Sequence, residues 1–170
     1  VVIEEFMEGE EASLLAFVDG KTVIPMIASQ DHKRIFDGDK GPNTGGMGTY
    51  APAPVLTDAL RNEAMKTILE PMVAAMAKEG MPYVGCLYAG LMITNEGPKV
   101  VEFNARFGDP ETQVVLPLLE GDLGQIMMAC TTGTLRSNMV KWKDSSAACV
   151  ILASKGYPET SSKGDVILGE

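Results

Sequence analysis

Chemistry in this chain is most concentrated in Val100-Val101-Glu102-Phe103-Asn104. Side chains alternate along a strand, so Glu102 and Asn104 project from one face, with Cβ atoms roughly 7 Å apart by the strand rise. A carboxylate and an amide oxygen so placed can flank a hard cation such as Mg²⁺, which keeps water and phosphate oxygens as its other ligands. Arg106 continues the alternation, and its planar fork suits a transferring phosphoryl or acyl-phosphate group. The same spacing also describes the polar face of a solvated strand, and E-x-N alone does not separate the two readings. The continuation Arg106-Phe107-Gly108-Asp109-Pro110-Glu111-Thr112-Gln113 adds a glycine that lets backbone approach a ligand and an Asp-Pro turn into a helix.

A second acidic region follows the first apolar residues: Glu4, Glu5, Glu8, Glu10 and Glu11. It reads either as a solvated hairpin face or as a nucleotide hinge. In the hinge, backbone groups around Glu4 to Met7 would bond a base edge and Glu11 would accept from ribose hydroxyls. Carboxylates suit a sugar and repel phosphates, so a hinge at one end and a metal at the other is electrostatically sensible. His32, the single histidine, sits in Gln30-Asp31-His32-Lys33-Arg34 and pairs with no Ser or Cys motif. The run Gly41-Pro42-Asn43-Thr44-Gly45-Gly46-Met47-Gly48 lacks the G-K-[ST] of a P-loop and the spacing of a dinucleotide fingerprint. Its glycines could present N–H groups to an anion or simply make turns.

The elements that must position these residues follow from periodicity. Val1-Val2-Ile3 reads as an entering strand. Two apolar stretches over Ala12 to Ile27 flank Asp19-Gly20, a preferred hairpin turn. Residues 29–54 are polar, turn-rich and without either period, which predicts a long loop. Thr57 can cap a helix reaching Lys78, with Ala64, Ile68, Met72 and Met76 on one stripe, a kink at Pro71 and a stop at Gly80. Val84 to Ile93 and Lys99 to Phe103 read as a second hairpin. Helices are expected from Pro110 to about Leu119 and from Asp122 to about Cys130, then a strand over Ala147 to Ala153 and the start of another near the end. The methionines on the predicted helices read as core filling.

The chain has 170 residues, 45% hydrophobic and 22% charged, enough for one compact domain or one plus a fragment. A net charge of −9 and a pI near 4.6 argue against a nucleic-acid or anionic-membrane surface. No apolar run approaches the roughly 20 residues that a spanning helix needs. Cys86, Cys130 and Cys149 are odd in number and widely spaced, which predicts neither a disulfide framework nor a zinc site and fits a reducing, cytoplasmic setting.

Taken together, EEFMEGEEAS, QDHKRIFDGDKGPNTGGMGTYAPAP, VGCLYAGLMI and VEFNARFGDPETQV closely resemble the phosphoribosylamine–glycine ligase (glycinamide ribonucleotide synthetase) family of the ATP-grasp superfamily. The likeness covers nearly the whole chain. It implies an α+β fold: the ATP-grasp large subdomain, a mostly antiparallel sheet with packed helices, over residues 1–136, and the start of a C-terminal β-rich domain over 137–170. It also implies that an N-terminal domain and the lysine-bearing lid over the phosphates precede Val1, so the chain reads as an internal or C-terminal fragment with weak or no turnover alone. The implied reaction joins glycine to 5-phosphoribosylamine through glycyl phosphate at the expense of ATP, with Mg²⁺ or Mn²⁺. By the same resemblance Glu102 and Asn104 match metal ligands, Glu4, Glu5 and Met7 an adenine hinge, and Glu11 a ribose contact. Arg106 matches the arginine beside the transferring phosphoryl group, and Asp31, Lys33, Gly108 and Asp109 border the acceptor. VGCLYAGLMI departs from many ATP-grasp enzymes in offering no acid, so a further metal ligand would come from elsewhere. Two alternatives are another ATP-grasp carboxylate–amine ligase and a non-catalytic nucleotide-binding or assembly module.

Overall fold

The computed structural model describes residues 1–169. Strands β1 (Glu10–Asp19), β2 (Val23–Pro25), β5 (Val84–Thr94) and β6 (Gly97–Asn104) form a four-stranded antiparallel sheet in the order β2-β1-β5-β6. Strands β3 (Gln30–Phe36), β4 (Lys40–Ala51) and β7 (Ala147–Val150) form a second antiparallel sheet, β3-β4-β7. Both predicted hairpins are present. The Asp19 carboxylate accepts from the backbone of Lys21 and Thr22 at the first turn.

The central strand β1 is buried from Ala12 to Asp19 because helices cover both faces of its sheet. Leu14, Ala16 and Val18 join one apolar cluster with Leu87, Ala89 and Leu91 under the long helical segment. Leu15 and Phe17 join another with Cys86, Val114, Val115 and Ile126 under the later helices. The long segment is α1 (Asp58–Ala64), a π turn (Met65–Leu69) and α2 (Glu70–Lys78). Thr57 accepts from Leu60 N–H as cap, and Gly80 takes φ +78 at the stop. A π turn precedes Pro71, with the Glu70 N–H bonding to Met65 O. The buried stripe is Ala64, Met65, Leu69 and Val73, with Ile68, Met72 and Met76 flanking it half-buried, so the predicted stripe is displaced by one position. The wider π turn shifts the helix phase relative to a regular 3.6-residue period.

Four further expectations are corrected. The predicted loop over 29–54 is largely the β3–β4 hairpin, turning at Asp37-Gly38-Asp39. Its period is hidden because β4 carries extra residues between the pairs His32↔Gly48, Arg34↔Asn43 and Phe36↔Lys40, bulges that Gly41 (φ +86) and Gly46 (φ +121) permit. Val1–Ile3 is exposed and makes no strand, and the chain after Val150 is irregular among the described residues. The helix expected over 110–119 is short: α3 (Thr112–Val115) followed by a 3₁₀ turn (Leu116–Leu118). The helix begun by Asp122 is α4 (Leu123–Thr132), closed by Gly133 in the left-handed region. No helix among the described residues is long and apolar enough to cross a membrane.

Candidate active site

One face of the four-stranded sheet carries Glu11, Glu102 and Asn104, and Asp31 and Lys33 reach it from β3. The register places Ser13 opposite Gly90 and Gly90 opposite Glu102, and pairs Tyr88 with Asn104. Gly90 has no side chain, and Glu102 Cγ lies 3.3 Å from where a Cβ would stand, so the acid occupies that space. Val100 and Phe103 both pack on the α1–α2 side, three residues apart, because β6 carries one extra residue at a bulge facing Gly90 and Leu91. The bulge leaves Glu102 and Asn104 together on the opposite face. Asn104 Nδ2 donates to Glu102 Oε1 at 2.9 Å, which orients both oxygens. This donor set suits a hard divalent cation. Among the described residues no three acidic, histidine or cysteine side chains converge into a complete cage, so water and ligand oxygens would complete the coordination, as Mg²⁺ favours.

The hairpin of β3 and β4 leans over this face, tied by the Ser13–Ser29 backbone pair. Asp31 and Lys33, on one side of β3, join Glu11, Ser13, Tyr88 and Glu102 around a narrow crevice. Lys33 Nζ bonds Glu11 at 3.2 Å. Burial would lower the Lys33 pKa, but Glu11 above all, then Asp31 and Glu102, more than offset it and hold the ammonium above its ordinary value. Burial and then the charge of Glu111 push Asp31 up to about 6, against the opposing Thr49 hydroxyl bond, Lys33 and the His32 backbone. A wider cleft of about 350 Å³ adjoins it, lined by Gln30 to Arg34 and by Gly9 to Glu11. There Gln30 Nε2 donates to Glu11 O at 3.0 Å. His32 lies outside the crevice, its ring tilted on Tyr50 at 5.5 Å.

Other predicted residues lie around this centre. Glu4, Glu5 and Met7 line a separate cleft of about 380 Å³ along the outer edge of β6, with Ile68 and Pro98 to Val101. Lys99 bridges Glu5 at 2.8 Å and Glu96 at 2.7 Å, and these bonds raise its pKa. Arg106 sits 6.0 Å over the Tyr88 ring and donates to Phe107 O. Gly108 packs against the Glu111 carboxylate. Asp109 accepts from Gln113 Nε2 at 2.6 Å and lines a cavity of about 300 Å³ with Gly45, Gly46 and Tyr157. Gly45 N–H donates to the Tyr157 hydroxyl.

Sequence reasoning missed Glu111, Tyr88 and Ser13. Glu111 is 2% exposed and accepts from Tyr88 OH at 2.5 Å and Ser13 Oγ at 3.0 Å. Nothing in spacing announced it. Its burial follows from the Asp109-Pro110 turn into α3, and Tyr88 reads as an ordinary strand aromatic.

The two-faced antiparallel sheet with helices on both sides is the architecture of an ATP-grasp protein. A crystal structure of phosphoribosylamine–glycine ligase from Thermotoga maritima superposes with a TM-score of 0.83 at 34% identity, covering 95% of this chain and 40% of that one. Residues 1–112 match the family described as phosphoribosylglycinamide synthetase, ATP-grasp (A) domain, and the chain belongs to that family. It is 56% identical over 170 residues to the phosphoribosylamine–glycine ligase of Caulobacter vibrioides, covering 99% of this chain and 40% of that protein. It is 55% identical to the trifunctional purine biosynthetic protein adenosine-3 of Gallus gallus, spanning 17% of its length.

Proposed function

We propose that this chain supplies the adenine hinge, the metal face and the phosphoryl-side arginine of a cytoplasmic ligase that joins glycine to 5-phosphoribosylamine, forming glycinamide ribonucleotide, ADP and phosphate. The observation that carries this reading is the row of Glu11, Ser13, Gly90, Glu102 and Asn104 on one sheet face, beside the Asp31–Lys33 strand and within a chain of this family. In this reading residues 1–136 are the C-terminal part of the ATP-grasp domain and 137–170 begin the next domain. The relatives named above are longer than this chain, and their remaining segments would complete the site. Neither nucleic acid nor a membrane takes part.

Backbone groups from Glu4 to Met7 bond the adenine edge, and Glu11 accepts from the ribose hydroxyls. Glu102 and Asn104 hold Mg²⁺ or Mn²⁺, which supplies neutralisation of the triphosphate charge. Arg106 bonds the oxygens of the phosphoryl group as it passes to the glycine carboxylate. Asp31, Lys33, Gly108 and Asp109 border the amine that then displaces phosphate. Lys33 is kept cationic by its three carboxylate neighbours and so remains a donor at working pH.

The test is a graft of this chain in place of the matched segment of the Caulobacter vibrioides relative. ADP release should require both glycine and 5-phosphoribosylamine. Glu102→Gln should weaken Mg²⁺-dependent ATP binding roughly 10-fold or more, the scale of one lost charge-assisted contact. ADP release with other amines only would point to a different carboxylate–amine ligase. Unchanged ATP affinity in Glu102→Gln would return Glu102 to a solvated strand face.

A further inference from the structure

Glu111 is buried, yet none of the ion pairs among the described residues involves it. Its bonds are to hydroxyls. Tyr88 OH at 2.5 Å and Ser13 Oγ at 3.0 Å both reach Oε1, and those hydroxyls lie 2.8 Å from one another, closing a triangle that ties α3 to β1 and β5. A carboxylate buried without a cation costs several kcal/mol, and an apolar residue would fill the same space at lower cost. What the triangle fixes is the hydroxyl end of Tyr88.

The other end of Tyr88 faces the site. In the β5–β6 register it stands opposite Asn104, and the Arg106 guanidinium lies 6.0 Å above its ring centroid. The remaining bond of Arg106 is to the carbonyl of Phe107, its own neighbour. The Tyr88 ring is therefore what holds this exposed, many-rotamer side chain from another element. Cation–π attraction is directional, so the ring's orientation sets where the guanidinium rests.

The geometry points to Tyr88 and Glu111 as positioning residues for Arg106: Glu111 anchors the phenol, and the phenol ring places the guanidinium. Its catalytic consequence rests on the role proposed above for Arg106. Glu111 serves here as a hydrogen-bond acceptor. Glu111→Gln keeps an oxygen for both hydroxyls and preserves the arrangement, whereas Glu111→Leu removes it. Tyr88→Phe keeps the ring and its packing and loses the anchor.

Two measurements decide it. In the 170-residue chain, the Arg106 side-chain proton resonances should be shifted upfield by the Tyr88 ring in the wild type and in Glu111→Gln. They should move toward the values of a free arginine in Tyr88→Phe and Glu111→Leu. In the graft described above, Tyr88→Phe should lower kcat roughly 10- to 100-fold, the scale of a misplaced catalytic group. The KM for ATP should stay within about twofold, and Glu111→Gln should restore most of the rate lost in Glu111→Leu. Adding Tyr88→Phe to Arg106→Ala should cost nothing further, since the two act through one group. Additive losses, or Arg106 resonances that ignore Tyr88→Phe, would overturn the proposal. Glu111→Gln as damaging as Glu111→Leu would also overturn it, because charge and not acceptance would then matter. An Arg106→Ala graft with unchanged kcat would instead sink the role of Arg106, while the resonances would still decide whether Tyr88 and Glu111 hold it.

Discussion

Replacing Asp31 by asparagine should stabilise the protein, and only above a defined pH. Burial and the charge of Glu111 push the Asp31 carboxyl from 3.8 to about 6. Giving up its proton at pH 6 in the folded state instead of 3.8 in the unfolded state costs on the order of 3 kcal/mol at full weight. The carboxyl is only partly buried, and solvent screening brings that cost to roughly half, about 1.5 kcal/mol. The sign follows from proton counts. Between those values the folded state binds the extra proton, so stability falls as pH rises, and the whole cost is present above about pH 6. The substituted amide has no proton to give up, and its carbonyl oxygen can still accept from Thr49 Oγ1, 3.2 Å from Asp31 Oδ1 in the wild type. Wild type and Asp31→Asn should melt together near pH 4 and separate through pH 5 to 6. In a chain of this length the gap should level off at roughly 3–6 °C by pH 7.5. Thermal unfolding of both across that range checks it. A gap that does not change with pH, or an Asp31→Asn protein less stable than wild type at pH 7.5, would refute the electrostatic account of this strand.

Glycine substitutions should separate strain from contact. Gly46→Ala must adopt φ +121 and drive a Cβ into Pro110 Cδ and the Asp31 carboxylate, so it should lose more than about 2 kcal/mol in urea unfolding. Gly80→Ala, with φ +78 and nothing within 4 Å, should lose only about 1 kcal/mol; equal losses would mean that the contact at Gly46 is relieved freely. Cys86 is buried, with its thiol pushed up to about 12 by burial and then by Cys130. At pH 8 it should react with a thiol reagent only after unfolding, and labelling of native Cys86 at the rate of a free thiol would contradict its burial.

How much of this was legible in the sequence depended on whether a residue's partners were local. Thr57, Asp122 and Gly80 mark helix ends through bonds to their own neighbours, and Asp19-Gly20 makes a turn with its own backbone. The hairpin from Gln30 to Ala51 was hidden because its bulges break the two-residue period, and because its buried positions include Gln30, Gly46 and Thr49, which give no apolar alternation. The spacing of Glu102 and Asn104 was visible. The bulge at the Gly90–Leu91 register, which sets the face they share relative to Val100 and Phe103, was not. Glu111 was invisible for a different reason. Its neighbours Ser13 and Tyr88 are 98 and 23 residues away, and only the folded sheet brings them together.

That distribution has a physical cause. Lys33 answers three carboxylates, Glu11, Asp31 and Glu102, and Asp31 also faces the buried charge of Glu111. Stability alone would dilute such a set with amides or apolar residues, as the expected gain from Asp31→Asn makes explicit. A site that concentrates like charge on one sheet face works against the fold that carries it, and local sequence rules fail at positions where that conflict is greatest. Asp31→Asn should therefore melt higher while losing whatever binding its charge provides, the opposed outcome that separates a functional carboxylate from a structural one.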